Sequence, residues 1–278
     1  MLICCRPWPR RVLLAIALCV AGVMPLAAAD NDRALCAASA DDPDEAVQAC
    51  TRILAQKARG IDVSQVYNDR GAAWFKKGHF DNAIADFSDA INRNTKFAPA
   101  YRNRGIAWFR KNDFDRALRD LNEAIRLDPK SVLSYNARGE VLSNRGEFDR
   151  AILDFNRVIE LDANNTWAYA ARGRVHHAKH SLSEALADFD RVIRLRPDDR
   201  SGYNDRAAVY LDQGAYDQAV ADFDAAVRLD PKNWRFYSFR GEALRLKGDL
   251  DRALADHNRA VEFGSGSPDA YNLSLIHI

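Results

Sequence analysis

The sequence predicts an all-α fold, a solenoid of helix-turn-helix units stacked in a row. Three observations predict it. A glycine returns every 34 residues, at Gly71, Gly105, Gly139, Gly173 and Gly241, with Ala207 in the remaining copy. An alanine returns with the same period, at Ala83, Ala117, Ala151, Ala185, Ala219 and Ala253. Around them the apolar residues fall three and four apart, as the buried stripe of a helix requires. Residues 101–129 show this most cleanly: Tyr101, Gly105, Trp108 and Phe109 share one stripe, and Phe114, Ala117, Leu121, Ala124 and Ile125 share the next. A fixed period of this length marks an array of small units, in place of the one or two globular domains that the length alone would allow.

Taken in order, residues 1–29 carry Arg6, Arg10 and Arg11, an apolar core over 12–26 broken by Gly22 and Pro25, and then Ala27, Ala28 and Ala29. That is the pattern of a signal peptide cleaved after Ala29, and it places the mature chain in the periplasm or outside the cell. The apolar run is marginal as a membrane span. A twin-arginine signal is a weaker reading, because the polar residues that flank such a pair are missing around Arg10 and Arg11. A lipid anchor at Cys19 is weaker too, since Leu18 stands where a small residue is needed. Removing the leader removes three positive charges and no acid, so the formal net charge goes from +1 to −2. Nothing in that balance asks for nucleic acid or for a membrane after cleavage.

Residues 30–63 read as a degenerate leading unit that caps the array. Ala46, Cys50 and Ile53 stand at the offsets of Ala, Phe and Ala in later copies, so Asp42 and Pro43 should introduce a helix over 44–56. Of the five cysteines only Cys36 and Cys50 survive cleavage. In an oxidising compartment they are expected to form a disulfide, stapling the cap by about 3 kcal/mol. A redox-active pair is the alternative, against which stands a spacing that is not C-x-x-C.

Six units follow, at 64–97, 98–131, 132–165, 166–199, 200–233 and 234–267. Gly78, Gly146, Gly214 and Gly248 hold the turn between the two helices, as suits a residue at positive φ, whereas Asn112 with Asp113, and His180, take that place in the other two copies. Pro129, Pro197 and Pro231 end the second helix. Neither helix of a pair is long enough to be stable alone in water, so each unit must bury its stripe against its neighbours. Over 268–278, Tyr271 and Asn272 open a seventh unit, which is then abandoned with Ser274 and Leu275 where Arg and Gly are due. The expectation is that the natural chain continues.

These residues resemble the tetratricopeptide repeat, whose pattern sets an aromatic, Leu-Gly, an aromatic, then Ala, Phe and Pro at fixed offsets. The resemblance covers residues 64–267 and implies a right-handed α-solenoid. One departure is systematic. Where the family has Leu before the Gly, this chain has Arg70, Arg104, Arg138, Arg172, Arg206 and Arg240, and each second helix carries an acid at one offset: Asp86, Asp120, Asp154, Asp188, Asp222 and Asp256. An unpaired arginine beside a packing glycine would be costly, so a structural ladder of Arg–Asp pairs is expected, within or between neighbouring repeats.

Residues for catalysis are hard to find. His176 and His180 are four apart with His177 between them, but His176 stands at the position of Trp74, Trp108 and Tyr210, and His180 at the turn, so packing explains them better than metal. There is no Gly-rich phosphate loop, no G-x-S-x-G and no Cys-x-x-Cys. The reading is a non-catalytic protein with no cofactor. The resemblance implies instead that the first helices line a concave face that binds a protein or peptide. Carried over by offset, that face holds Asn68, Phe75 and Lys76, then Arg102, Ile106, Phe109 and Arg110, then Asn136, Glu140 and Asn144. Further along it holds Trp167, Arg174 and His177, then Asn204, Leu211 and Asp212, then Arg235, Glu242 and Arg245. Asparagines there would hold a partner's main chain, aromatics would anchor it, and Arg102, Arg110 and Arg174 would make the middle of the wall basic. The Lys and Asn with which some family members clamp a C-terminal carboxylate are replaced by Asn68 and Ala72. The alternative is that the repeats are the recognition arm of a longer enzyme, and a third reading is self-association.

Overall fold

The computed structural model describes residues 26–38, 42–56 and 61–264, and among them fourteen helices and no strand. Most of the expected leader, and the expected seventh unit over 268–278, lie outside the described residues. The chain divides into two compact units, Met1–Asp113 and Phe114–Ile278, the division falling at the turn inside the second predicted repeat.

In the first unit, α1 (Leu26–Ala37) pairs with α2 (Pro43–Ala55), α3 (Val63–Lys76) pairs with α4 (Phe80–Arg93), and α5 (Ala98–Arg110) lies against α4. Helix α2 is the one expected over 44–56, begun one residue earlier. The Asp42 carboxylate accepts from the backbone N–H groups of Asp44 and Glu45 at 3.0 and 2.9 Å, and Pro43 enters at the first turn, where its missing N–H is no loss. Helix α1 is not announced by the repeat pattern, and it starts upstream of the expected cleavage point. Two contacts tie it down. The sulfurs of Cys36 and Cys50 stand at a bonding distance of 2.07 Å, and the buried Asp32 carboxylate accepts from Arg52 at 2.6–3.1 Å.

In the second unit, α6 (Phe114–Leu127) lies against α7 (Val132–Asn144), which pairs with α8 (Phe148–Leu161). Three more pairs follow: α9 (Thr166–Ala178) with α10 (Leu182–Leu195), α11 (Arg200–Asp212) with α12 (Tyr216–Leu229), and α13 (Trp234–Lys247) with α14 (Leu250–Phe263). Each second helix packs on the first helix of the next pair.

The recurring glycine is where the two helices of a pair come closest. A Cβ built on Gly71 would lie 2.7 Å from the Phe87 ring, one on Gly139 2.5 Å from Phe155, and one on Gly173 2.9 Å from Phe189. These rings are fully buried, as are Ala83, Ala151 and Ala185 one turn earlier on the same helices. The first helix is therefore laid directly onto an aromatic plate carried by the second. Ala207 takes the glycine's place in one buried cluster with Phe223, so the seat admits one methyl group there.

All six turns use a left-handed residue: φ is 76° at Gly78, 81° at Gly146, 72° at Gly214, 91° at Gly248, 60° at Asn112 and 58° at His180. The last is a strained choice for a bulky side chain. Within each unit successive first helices touch, α3 with α5 in the first, α7 with α9 and α9 with α11 in the second. Their outward sides form the face on which a site can be built.

Candidate functional site

The arginines beside the packing glycines are committed to structure. Arg70 donates to both oxygens of Asp86 at 2.8 and 2.7 Å. Arg138 holds Asp154, Arg172 holds Asp188, Arg206 holds Asp222 and Arg240 holds Asp256 in the same two-pronged way, at 2.6–2.9 Å. The remaining nitrogen reaches back to the preceding pair: Arg138 to Asn122 at 2.7 Å, Arg172 to Asn156 at 2.5 Å, and Arg206 and Arg240 to Asp190 and Asp224 at 2.6 Å. In the first unit Arg70 reaches Thr51 and Arg104 reaches Ser88. Asp120, in the second unit, is buried like the other ladder acids.

Each guanidinium also lies over the tyrosine three residues earlier, 5.4–5.7 Å from the rings of Tyr67, Tyr101, Tyr135 and Tyr169. The bond to the aspartate pushes each paired arginine's pKa further up. The rise is largest at Arg206 and Arg240, whose second acceptor is also a carboxylate. These groups are saturated and bind three helices together, which leaves them nothing to offer a substrate.

A second set of ion pairs went unread in the sequence. Lys111 pairs with Asp81, Arg145 with Asp115, Lys179 with Asp149 and Lys247 with Asp217, always thirty residues apart. In the remaining copy both members are neutral, Gln213 and Ser183. That joint exception is the signal that the pairing left in the sequence.

On the first-helix face of the first unit, Asn68 is not a free main-chain hook, contrary to expectation. It is only 7% exposed; its Oδ1 accepts from Asn103 Nδ2 at 2.9 Å and its own Nδ2 donates to Asp69 at 3.4 Å. Asp69 also accepts from Gln65 at 2.7 Å. Burial raises the Asp69 pKa, while the bonds from Gln65 and Asn68 work against that rise. Arg102 donates to the Asn103 side-chain Oδ1 at 3.2 and 3.1 Å. Beside this amide chain lies a half-open pocket of about 140 Å³, lined by Ala72, Phe75, Lys76, Phe87, Asn103 and Ile106. Phe75 is braced by the Phe80 ring at 5.3 Å, Phe109 is half-buried, and Lys76 and Arg110 are exposed.

The second unit corrects the expected basic wall. Arg174 is held by Asp205 at 2.9 Å, so it does not stand as a free cation, and His177 is hydrogen-bonded to Asp212 at 2.7 Å, each across to the next first helix. Asn136 and Asn204 keep a buried Oδ1 without a hydrogen-bond partner. The donor that Asn103 supplies to Asn68 is replaced, at the same register, by Ala171 and Phe239. Trp167 is 41% exposed, set edge-on to Phe155 at 5.8 Å. His176 is half-buried, and burial lowers its pKa. Among the described residues no group of three His, Cys, Asp or Glu is placed to hold a metal ion.

Comparison with known proteins accords with this geometry. Models of the tetratricopeptide repeat match residues 98–131, 121–152 and 204–268. No curated protein matches the chain. Among solved structures, a tetratricopeptide repeat protein from Parabacteroides merdae is similar over 88% of this chain and 98% of its own, at 19% identity and a TM-score of 0.66. MamA is similar over 60% of this chain and 92% of its own, at 24% identity and a TM-score of 0.55. YrrB, described as a TPR protein with an unusual peptide-binding site, is similar over 69% and 96%, at 22% identity and a TM-score of 0.54. With the period, the Gly–Phe seat and the paired helices all in agreement, this chain is a tetratricopeptide-repeat protein.

Proposed function

We propose that this protein is an exported, non-catalytic scaffold that binds a protein or peptide along a concave face made by its first helices. The observation that carries the reading is the pocket between α3 and α5, where apolar walls from Ala72, Phe75, Phe87 and Ile106 meet the Asn103 amide. A small apolar recess with one convergent polar group suits an anchor side chain and the main chain beside it. Similarity in fold to YrrB, whose description names a peptide-binding site, supports the class of ligand. The arginines beside the packing glycines and their buried aspartates are tied up in the ladder, which favours holding over transforming. Export is supported by the basic and apolar leader, and by a cysteine pair at bonding distance in the cap.

The test is recovery of a partner from cell-envelope extract on immobilised protein. Replacing Ile106 by Glu puts a charge at the pocket wall and is expected to abolish recovery while leaving the helical circular dichroism unchanged. Undiminished recovery with a folded Ile106→Glu variant would reject this face.

A further inference from the structure

The cations of the first helices are, with few exceptions, matched. Arg174 has Asp205, Arg245 has Glu242, and Arg70, Arg138, Arg172, Arg206 and Arg240 have their aspartates. For Lys76 and Arg110 the structure records no acid, amide or ring partner among the described residues. Lys76 lines the α3–α5 pocket, and Arg110 lies one turn beyond the pocket residue Ile106 on the same side of α5. A cation at a helix C-terminus is favourable in itself. The same position in α7, α9 and α11 nevertheless holds Asn144, Ala178 and Asp212, so the fold does not demand a charge there. The nearest acid along α3, Asp69, lies two turns away and is engaged by Gln65 and Asn68.

We propose that this site takes an extended acidic peptide segment, one aliphatic side chain seated in the α3–α5 pocket with carboxylates beside it meeting Lys76 and Arg110. The pocket's roughly 140 Å³ matches one such side chain, since an apolar cavity of about 150 Å³ holds a single benzene. Two exposed cations at its edge select the charge of the flanking residues and speed their encounter, and salt weakens both effects. The apolar seat favours a peptide over a nucleic-acid backbone. This inference rests on the binding face proposed above.

Fluorescence anisotropy of the full chain with three labelled nonapeptides tests it: a central Leu flanked by Asp, the same Leu flanked by Lys, and a central Ser flanked by Asp. The Asp–Leu peptide is expected to bind at least tenfold more tightly than either of the others, and to weaken as salt is raised. The double variant Lys76→Glu/Arg110→Glu, both at exposed positions, is expected to reverse the preference in favour of the Lys–Leu peptide. Equal binding of the Asp and Lys peptides, with Ser still defective, would overturn the acidic selectivity and leave the binding face standing. Indifference to the Leu-to-Ser change, or no binding of any peptide, would overturn both. A labelled single-stranded oligonucleotide that bound as well as the Asp–Leu peptide would overturn the assignment to peptide.

Discussion

Asn68 and Asn136 hold the same place in their repeats and have opposite circumstances. The first exchanges hydrogen bonds with Asn103 and Asp69, whereas the second buries an acceptor with nothing to meet it. A buried acceptor without a partner costs its full desolvation, and a satisfied one costs little. Asn68→Leu is therefore expected to lower stability by about 1–3 kcal/mol, because it orphans Asn103, and Asn136→Leu to be neutral or stabilising by up to about 1 kcal/mol. Urea denaturation of the two variants checks this; equal losses would contradict it. The identity of residue 68 or 136 says nothing of this difference. It is set one repeat away, by Asn103 in one case and Ala171 in the other.

At the scale of the helix pair, the Arg–Asp ladder is the device that sets this chain apart from the common repeat pattern. Arg138 spans three helices, holding Asp154 in its own pair and Asn122 in α6. Asp154 is 4% exposed, so removing its carboxylate strands a cation that cannot turn fully to water. Asp154→Ala is expected to cost about 3 kcal/mol, and the double change Arg138→Leu/Asp154→Leu to cost less than the single one, since breaking such a pair is worse than replacing it. A double variant less stable than Asp154→Ala in thermal melts would count against this account. The pairing partners were legible in the sequence because both residues kept the period. The second acceptor was not, because Ser88, Asn122, Asn156, Asp190 and Asp224 share a position but no single chemistry, and Thr51 stands three residues off that position.

At the scale of the molecule, a repeat array is stabilised by contacts between neighbours, so its ends are its weak points. The cap is held by the Cys36–Cys50 contact and by the Asp32–Arg52 pair. Replacing both cysteines by Ser is expected to destabilise the cap by about 3 kcal/mol, as closure of a loop of this size implies. Hydrogen exchange should quicken in α1–α3 while α7–α12 keep their protection; protection lost evenly along the chain would speak against this local role. Alkylation and mass measurement of protein from the envelope checks whether the two thiols are oxidised there.

The sequence by itself determined the period, the pairing of helices, the turn positions with their left-handed residues, the buried glycine seat and the Arg–Asp ladder. All of these are written in residues that recur every 34 positions, and repetition averages away the noise of any one copy. Only the tertiary structure decided which polar side chains of the first helices remain open to a partner. Asn68 is consumed, Arg174 and His177 are matched by Asp205 and Asp212, and Lys76 and Arg110 are left beside an apolar recess. Each of these outcomes depends on the side chain that the next repeat brings within bonding distance. That is a property of two copies in contact, and no single copy contains it.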